Sequence, residues 1–204
     1  MVEASPFQIV DPGFNAILIR SCSDLADLAD ALGFAEIAER NRIRAKSGID
    51  GMASLWSDHH DQYLCFDRRD GDIINNASIA GLIAAFAPIP SDRAEKIAAR
   101  ILKLGKQSGY LVPSQPVGSP EFDGKRYWRG PAWLIANFLI ANGMERAGQH
   151  HVASRIVEDS LRLIDESGFA EYYDPITAEA CGGSTFTWTA AMVIEFLAKS
   201  KGSK

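Results

Sequence analysis

Charge alternates between successive helix-forming segments of this chain, and that alternation restricts the fold more than any single motif. Residues 76–89 (NASIAGLIAAFAPI) carry no charged side chain, whereas 91–106 are rich in charge, with Ala94, Ile97, Ala98, Ile101 and Leu102 on one stripe. Residues 130–143 are again uncharged, 145–166 amphipathic and 185–194 uncharged. Upstream, Phe14, Ile17, Leu18, Leu25, Leu28 and Leu32 recur at helical spacing behind Asp11-Pro12, an N-cap followed by a proline at the first helical position. Residues 35–55 are crowded with charge and read as a solvated outer helix. A helix that is apolar all round must be buried all round, and an amphipathic one lies at the surface. The expectation is therefore an all-α protein of about seven helices. A double ring, each inner helix followed by an outer one, produces strict alternation; an irregular bundle around a few central helices also fits the periodicity.

The connections carry further signals. Tyr63, Cys65 and Phe66 form a β-prone run, and Asp70-Gly71 marks a turn before Ile73-Ile74, so a small hairpin is expected within 57–75. Residues 109–125 contain three prolines, and 169–183 hold a carboxylate beside two tyrosines. Long loops on a helical frame are where sites tend to be built. No linker or low-complexity tract divides the chain, which reads as a single domain over 1–204 with a frayed tail at 200–204. The formal charge of −5 excludes a broad basic face for nucleic acid. The longest uncharged apolar run, 130–143, is too short for a membrane span. The first ten residues lack the pattern of a signal peptide, and Cys22, Cys65 and Cys181 have neither disulfide-framework nor zinc spacing. A cytoplasmic protein without metal or cofactor is expected.

Several arrangements carry no chemistry. His59-His60 and His150-His151 are adjacent pairs whose side chains diverge. Asp67, Asp70 and Asp72 miss the spacing of a calcium loop, and Gly182-Gly183 lacks the context of a phosphate cradle. Two clusters remain. Residues 125–133 (KRYWRGPAW) set Tyr127, Trp128 and Trp133 beside Arg126 and Arg129, offering flat apolar faces and planar donors for a sugar or small polar acid. Burial of both tryptophans in the core is the competing account. Residues 169–175 (FAEYYDP), with Gly182-Gly183 and Phe186-Thr187-Trp188-Thr189 behind them, place Glu171 among aromatics, where a carboxylate can be tuned as a general base.

RYWRGPAW, GFAEYYDP and the Gly-Gly…FTWTAA tail together resemble the C-terminal signatures of glycoside hydrolase family 63, in its bacterial mannosylglycerate and glucosylglycerate hydrolase branch. DPGFNAIL and SIAGLIAAFAPIPS extend the resemblance over almost the whole chain. It implies part of an (α/α)6 toroid, an inverting mechanism and a small glycoside substrate. By motif, Glu171 matches the general base, and Tyr127, Trp128 and Trp133 line the sugar pocket, with Arg129 beside them. Thr185 stands near the place of a family glutamine that is not clearly matched. The family's general acid lies in a Ser-Gly-Trp-Asp-like segment upstream of the DPGFNAIL-like motif, and no such segment precedes Asp11 here. The family ring has twelve helices, of which this chain supplies somewhat more than half. The resemblance thus implies an incomplete site, an open arc exposing apolar inner helices, and a partner that is either an N-terminal half or a second copy. The alternative is a non-catalytic remnant that binds carbohydrate or a protein.

Overall fold

The computed structural model describes residue 5 and residues 7–201. Of the tail expected at 200–204, residues 202–204 lie outside the described residues, as do residues 1–4, part of the segment on which the reading of the N-terminus rests. In chain order the elements are β1 (Ile9–Val10), α1 (Pro12–Ala31), α2 (Ala35–Met52), β2 (Trp56–Ser57), β3 (Gln62–Tyr63), β4 (Phe66–Asp67) and β5 (Asp72–Ile73). They continue with α3 (Ala80–Ile83), α4 (Ser91–Ser108), α5 (Leu134–Arg146), α6 (His150–Ser167), β6 (Tyr172–Tyr173), β7 (Ala180–Cys181) and α7 (Thr187–Lys201). Among the described residues no helix is long and apolar enough to cross a membrane.

The start of α1 follows its sequence signal. Asp11 is the N-cap, its side chain accepts the Phe14 N–H at 2.8 Å, and Pro12 fills the first helical position, where a missing N–H is harmless. Helix α1 packs against α2, α3 and the 3-10 turn Ala84–Phe86. Helix α3 and that turn meet α5, α5 carries α6 and also meets α7, and α4 touches α6. The sparsely charged α5 buries Ala136, Asn137, Ile140, Ala141, Gly143 and Met144. At Gly143 a Cβ would come within 2.2 Å of the Ala85 carbonyl oxygen, so only glycine lets α5 approach that backbone. The amphipathic α4 and α6 bury one stripe each, Ala94, Ile97, Ala98 and Ile101 on the former, Val152, Ile156 and Leu163 on the latter.

Four expectations need correction. The uncharged segment 76–89 forms only a four-residue α3 and a 3-10 turn, because Pro88 and Pro90 cannot continue a helix and bias the residues before them to extended backbone. Helix α2 stops at Met52 and gives way to a 3-10 turn, Ala53–Leu55, ahead of β2. The hairpin region holds two ladders: β4 pairs with β5 around the Asp70-Gly71 turn and also with β1, while β2 pairs separately with β3. Finally, the uncharged segment 185–194, most of which lies in the first part of α7, is not buried all round, since Trp188 is 56% and Ile194 68% exposed.

The apolar residues whose spacing marked α1 lie on the outside. Phe14, Leu18, Leu28 and Leu32 are more than half exposed, whereas Ala16, Ile19, Cys22, Ala26 and Ala29 face the core. The small side chains let α2 and α3 approach closely, and the larger ones project away from them.

Candidate active site

Helix α6 ends at Gly168, whose φ of 72° suits glycine, and the chain turns into 169–183. Tyr173, wholly buried, pins this loop: its hydroxyl donates to the Gly168 carbonyl at 2.6 Å and accepts the Ala170 N–H at 2.9 Å. Burial pushes the Tyr173 phenol up to about 12. Thr189 on α7 donates to the Ala170 carbonyl at 2.7 Å. Strands β6 and β7 pair antiparallel, and the buried Asp174 holds the turn between them by accepting the Ile176 and Thr177 N–H groups.

The other edge of β6 pairs with the residues before α5. Ala132 and Tyr173 exchange backbone hydrogen bonds at 2.8 and 3.0 Å in an antiparallel bridge. That bridge explains why the expected helix at 130 begins only at Leu134: residues 130–133 are extended to meet β6. It also sets Trp133 across from Tyr172, and their rings stack at 4.8 Å. Trp128 stacks on Trp133 at 4.2 Å and 9°, and Tyr127 meets Trp133 edge-on at 5.0 Å and Tyr172 at 5.7 Å. The Trp133 indole N–H donates to the Tyr127 carbonyl at 3.0 Å, tying the turn to the stack. Trp133 is 2% exposed, so the core account holds for it, while Trp128 and Tyr127 present open ring surface, 41% and 53% exposed.

Glu171 is the residue before β6, and the β6–β7 register places it opposite Gly182. Its N–H donates to the Gly183 carbonyl at 2.9 Å, and its Oε2 receives the Gly183 N–H at a long 3.4 Å. A Cβ on Gly182 would stand 2.5 Å from Glu171 Oε2 and 3.0 Å from Tyr172 Cε1, so the carboxylate and the tyrosine ring share one side of that glycine. Gly182 has a φ of 73°, which also disfavours a side chain. Burial, with the nearby Cys181 thiol and Glu171 carboxylate, raises the Tyr172 phenol above its ordinary value. Glu171 is half-buried and forms no ion pair among the described residues.

Glu171, Tyr127, Trp128 and Trp133 therefore belong to one assembly. Arg129 lies at its edge, exposed, with its Nε donating to the Glu121 carbonyl at 3.0 Å. Thr185 is exposed in the connection from Gly183 to α7. Sequence reasoning undervalued Tyr172 and placed Gly182-Gly183 behind Glu171 without assigning the pair a role. A glycine pair facing a lone carboxylate across one hairpin was the available signal, had the β6–β7 register been known. Among the described residues no three His, Cys, Asp or Glu side chains gather to hold a metal.

A family model for the mannosylglycerate hydrolase MGH1-like glycoside hydrolase domain matches residues 1–189. The chain is 37% identical over 196 residues to mannosylglycerate hydrolase of Thermus thermophilus, covering 93% of this chain and 46% of the relative. It is 34% identical to mannosylglycerate hydrolase MGH1 of Selaginella moellendorffii, covering 96% of this chain and 40% of the relative. It also superimposes on the crystal structure of a family 63 mannosylglycerate hydrolase from Thermus thermophilus in complex with glucose, with a TM-score of 0.88 at 38% identity, over 96% of this chain and 49% of that one. The chain spans about half the length of the relatives it matches.

Proposed function

The chain belongs to the mannosylglycerate hydrolase MGH1-like glycoside hydrolase family, and from that premise we propose that it is the C-terminal portion of an inverting α-glycosidase acting on a small glycoside such as mannosylglycerate or glucosylglycerate. In this reading the Glu171 carboxylate is the general base. It takes a proton from the water that attacks the anomeric carbon, as the bond to the departing oxygen breaks on the opposite face. A general acid from a separate segment protonates that oxygen. Tyr127 and Trp128 offer ring faces to the sugar C–H groups, Trp133 and Tyr172 hold them in place, and Arg129 and Thr185 supply polar contacts at the rim.

The observation that carries this reading is the Glu171 carboxylate lodged over Gly182, beside a stack of aromatic rings and without an ion-pair partner among the described residues. The packing of α1, α3, α5 and α7 one upon the next is then an arc of inner helices in an (α/α)6 toroid. The exposed apolar faces of α1 and α7 receive the remainder of the ring, from an N-terminal half or a second copy. A cytoplasmic setting accords with three free cysteines.

The test is complementation. The chain is expressed alone and together with the N-terminal half of the Thermus thermophilus relative, and hydrolysis of mannosylglycerate and glucosylglycerate is followed by proton NMR, which also reads the anomer first released. Expected are no turnover alone, inverting turnover in the pair, and a loss of about 10²–10⁴ in kcat with Glu171→Gln. Robust Glu171-dependent turnover by the chain alone defeats the incomplete-site reading. Sugar binding lost in Trp128→Ala and unchanged in Glu171→Gln, without turnover in either setting, identifies a carbohydrate-binding remnant instead.

A further inference from the structure

A recess of about 530 Å³ opens between α4 and the 115–121 loop, and neither Glu171 nor any ring of the aromatic stack lines it. Its size falls in the range of small-molecule sites. Two features of its walls are unusual. Gln115 is 6% exposed, yet among the described residues its amide oxygen has no hydrogen-bond donor, and the buried Ser119 hydroxyl oxygen in the same loop is likewise without a partner among them. Buried polar atoms are nearly always paired, because an acceptor cut off from water and from protein donors is costly. Two such atoms in the wall of one recess point to donors that arrive from outside the chain.

The second feature is charge. Arg100 and Lys103, one turn apart on α4, both line the recess. The half-buried Arg100 spends its Nε on the Gln62 side chain at 2.5 Å, and Asp61 acts on it only at longer range. Neither cation makes an ion pair among the described residues. Among the described residues Glu121 is the one carboxylate in the lining, which leaves an excess of positive charge.

We propose that this recess binds a small anion that also carries hydroxyl groups. Arg100 and Lys103 meet its anionic end, and the Gln115 amide oxygen and the Ser119 hydroxyl engage its hydroxyls. A hydroxy acid and a polyol phosphate share this chemistry. The site is independent of the role assigned to Glu171, and its test does not require turnover.

Amide shifts of the 204-residue chain are followed by NMR at millimolar D-glycerate, glycerol 1-phosphate and glycerol. Both or one of the anions is expected to move the signals of 100–107 and 115–121, glycerol is not, and the tighter anion identifies the charged group preferred. Lys103→Met and Gln115→Leu each weaken binding by about tenfold, and Trp128→Ala leaves it unchanged. Because it removes an orphaned acceptor, Gln115→Leu keeps or raises the melting temperature of the free chain while reducing the ligand's stabilisation. Should the Gln115 variant not fold, the exposed Lys103 position carries the test. The proposal is overturned if neither anion moves these signals, if glycerol binds as well as the anions, or if binding survives Lys103→Met and Gln115→Leu but is lost in Trp128→Ala.

Discussion

Two residues hold the carboxylate loop in shape, and each yields a prediction. Tyr173 satisfies the backbone at Gly168 and Ala170 with one hydroxyl. Tyr173→Phe removes both bonds, leaving the Ala170 N–H only its contact with the Gly168 carbonyl at 3.1 Å, and should destabilise the fold by about 1–2 kcal/mol, measured by urea unfolding. The same hydroxyl sets an alkaline limit. Its folded-state value is raised to about 12 from the ordinary 10.0, so the folded chain holds this proton more tightly than the unfolded one. The stability it contributes is complete below 10 and is lost as pH rises toward 12, a slope absent from Tyr173→Phe. Gly182 acts on Glu171 directly. In Gly182→Ala the new methyl occupies the space of the carboxylate, 2.5 Å from its Oε2, so Glu171 must move. In a complemented enzyme kcat should drop about a hundredfold, the scale of an ångström-sized misplacement, with the circular dichroism spectrum retained.

At the scale of elements, polar residues fix how the helices meet the loops. Asn137, fully buried on α5, accepts the Val112 N–H at 3.0 Å and donates to the Leu111 carbonyl at 2.9 Å and to Ser160 on α6 at 2.8 Å. One side chain thus joins α5, α6 and the start of the proline-rich loop. Asn137→Leu should lower stability by at least about 2 kcal/mol, because it orphans several buried groups together. Asp11→Ala removes a side-chain cap at one end of α1 and should cost about 1 kcal/mol. Chemical denaturation with an unchanged m-value would confirm that both act on the folded state rather than on its compactness.

For the whole molecule the dominant feature is apolar surface at both ends of the helical array, with Leu18 and Leu28 on α1, Leu32 at its C-cap, and Trp188, Ile194 and Leu197 on α7. Contiguous apolar surface of this kind marks a contact site or a hazard of association. The chain on its own should therefore bind an apolar dye and sediment as a mixture of species. Replacing Leu18, Leu28 and Leu32 with glutamine should reduce both effects, each change shifting stability by less than about 0.5 kcal/mol, since these side chains bury little within the chain. Loss of folding in that triple variant would show instead that α1 needs them for its own packing.

Periodicity and capping chemistry are local, and they sufficed to locate helices: Asp11-Pro12 opens α1, and the stripes of α4 and α6 face the core as their spacing requires. The motifs around Tyr127, Trp128, Trp133 and Glu171 likewise marked the candidate site, because aromatic and acidic residue types carry their chemistry wherever they stand. What local pattern could not supply is partnership across the chain. Glu171 meets Gly182 across the β6–β7 hairpin, but Ala132 meets Tyr173 only through antiparallel pairing between distant segments, so the register that stacks Trp133 on Tyr172 had no local signature. The orientation of α1 was hidden for the same reason. A helix with one stripe of large apolar residues and another of small ones does not say which side a neighbour will cover, and here close approach chose the small alanines and left the leucines outside.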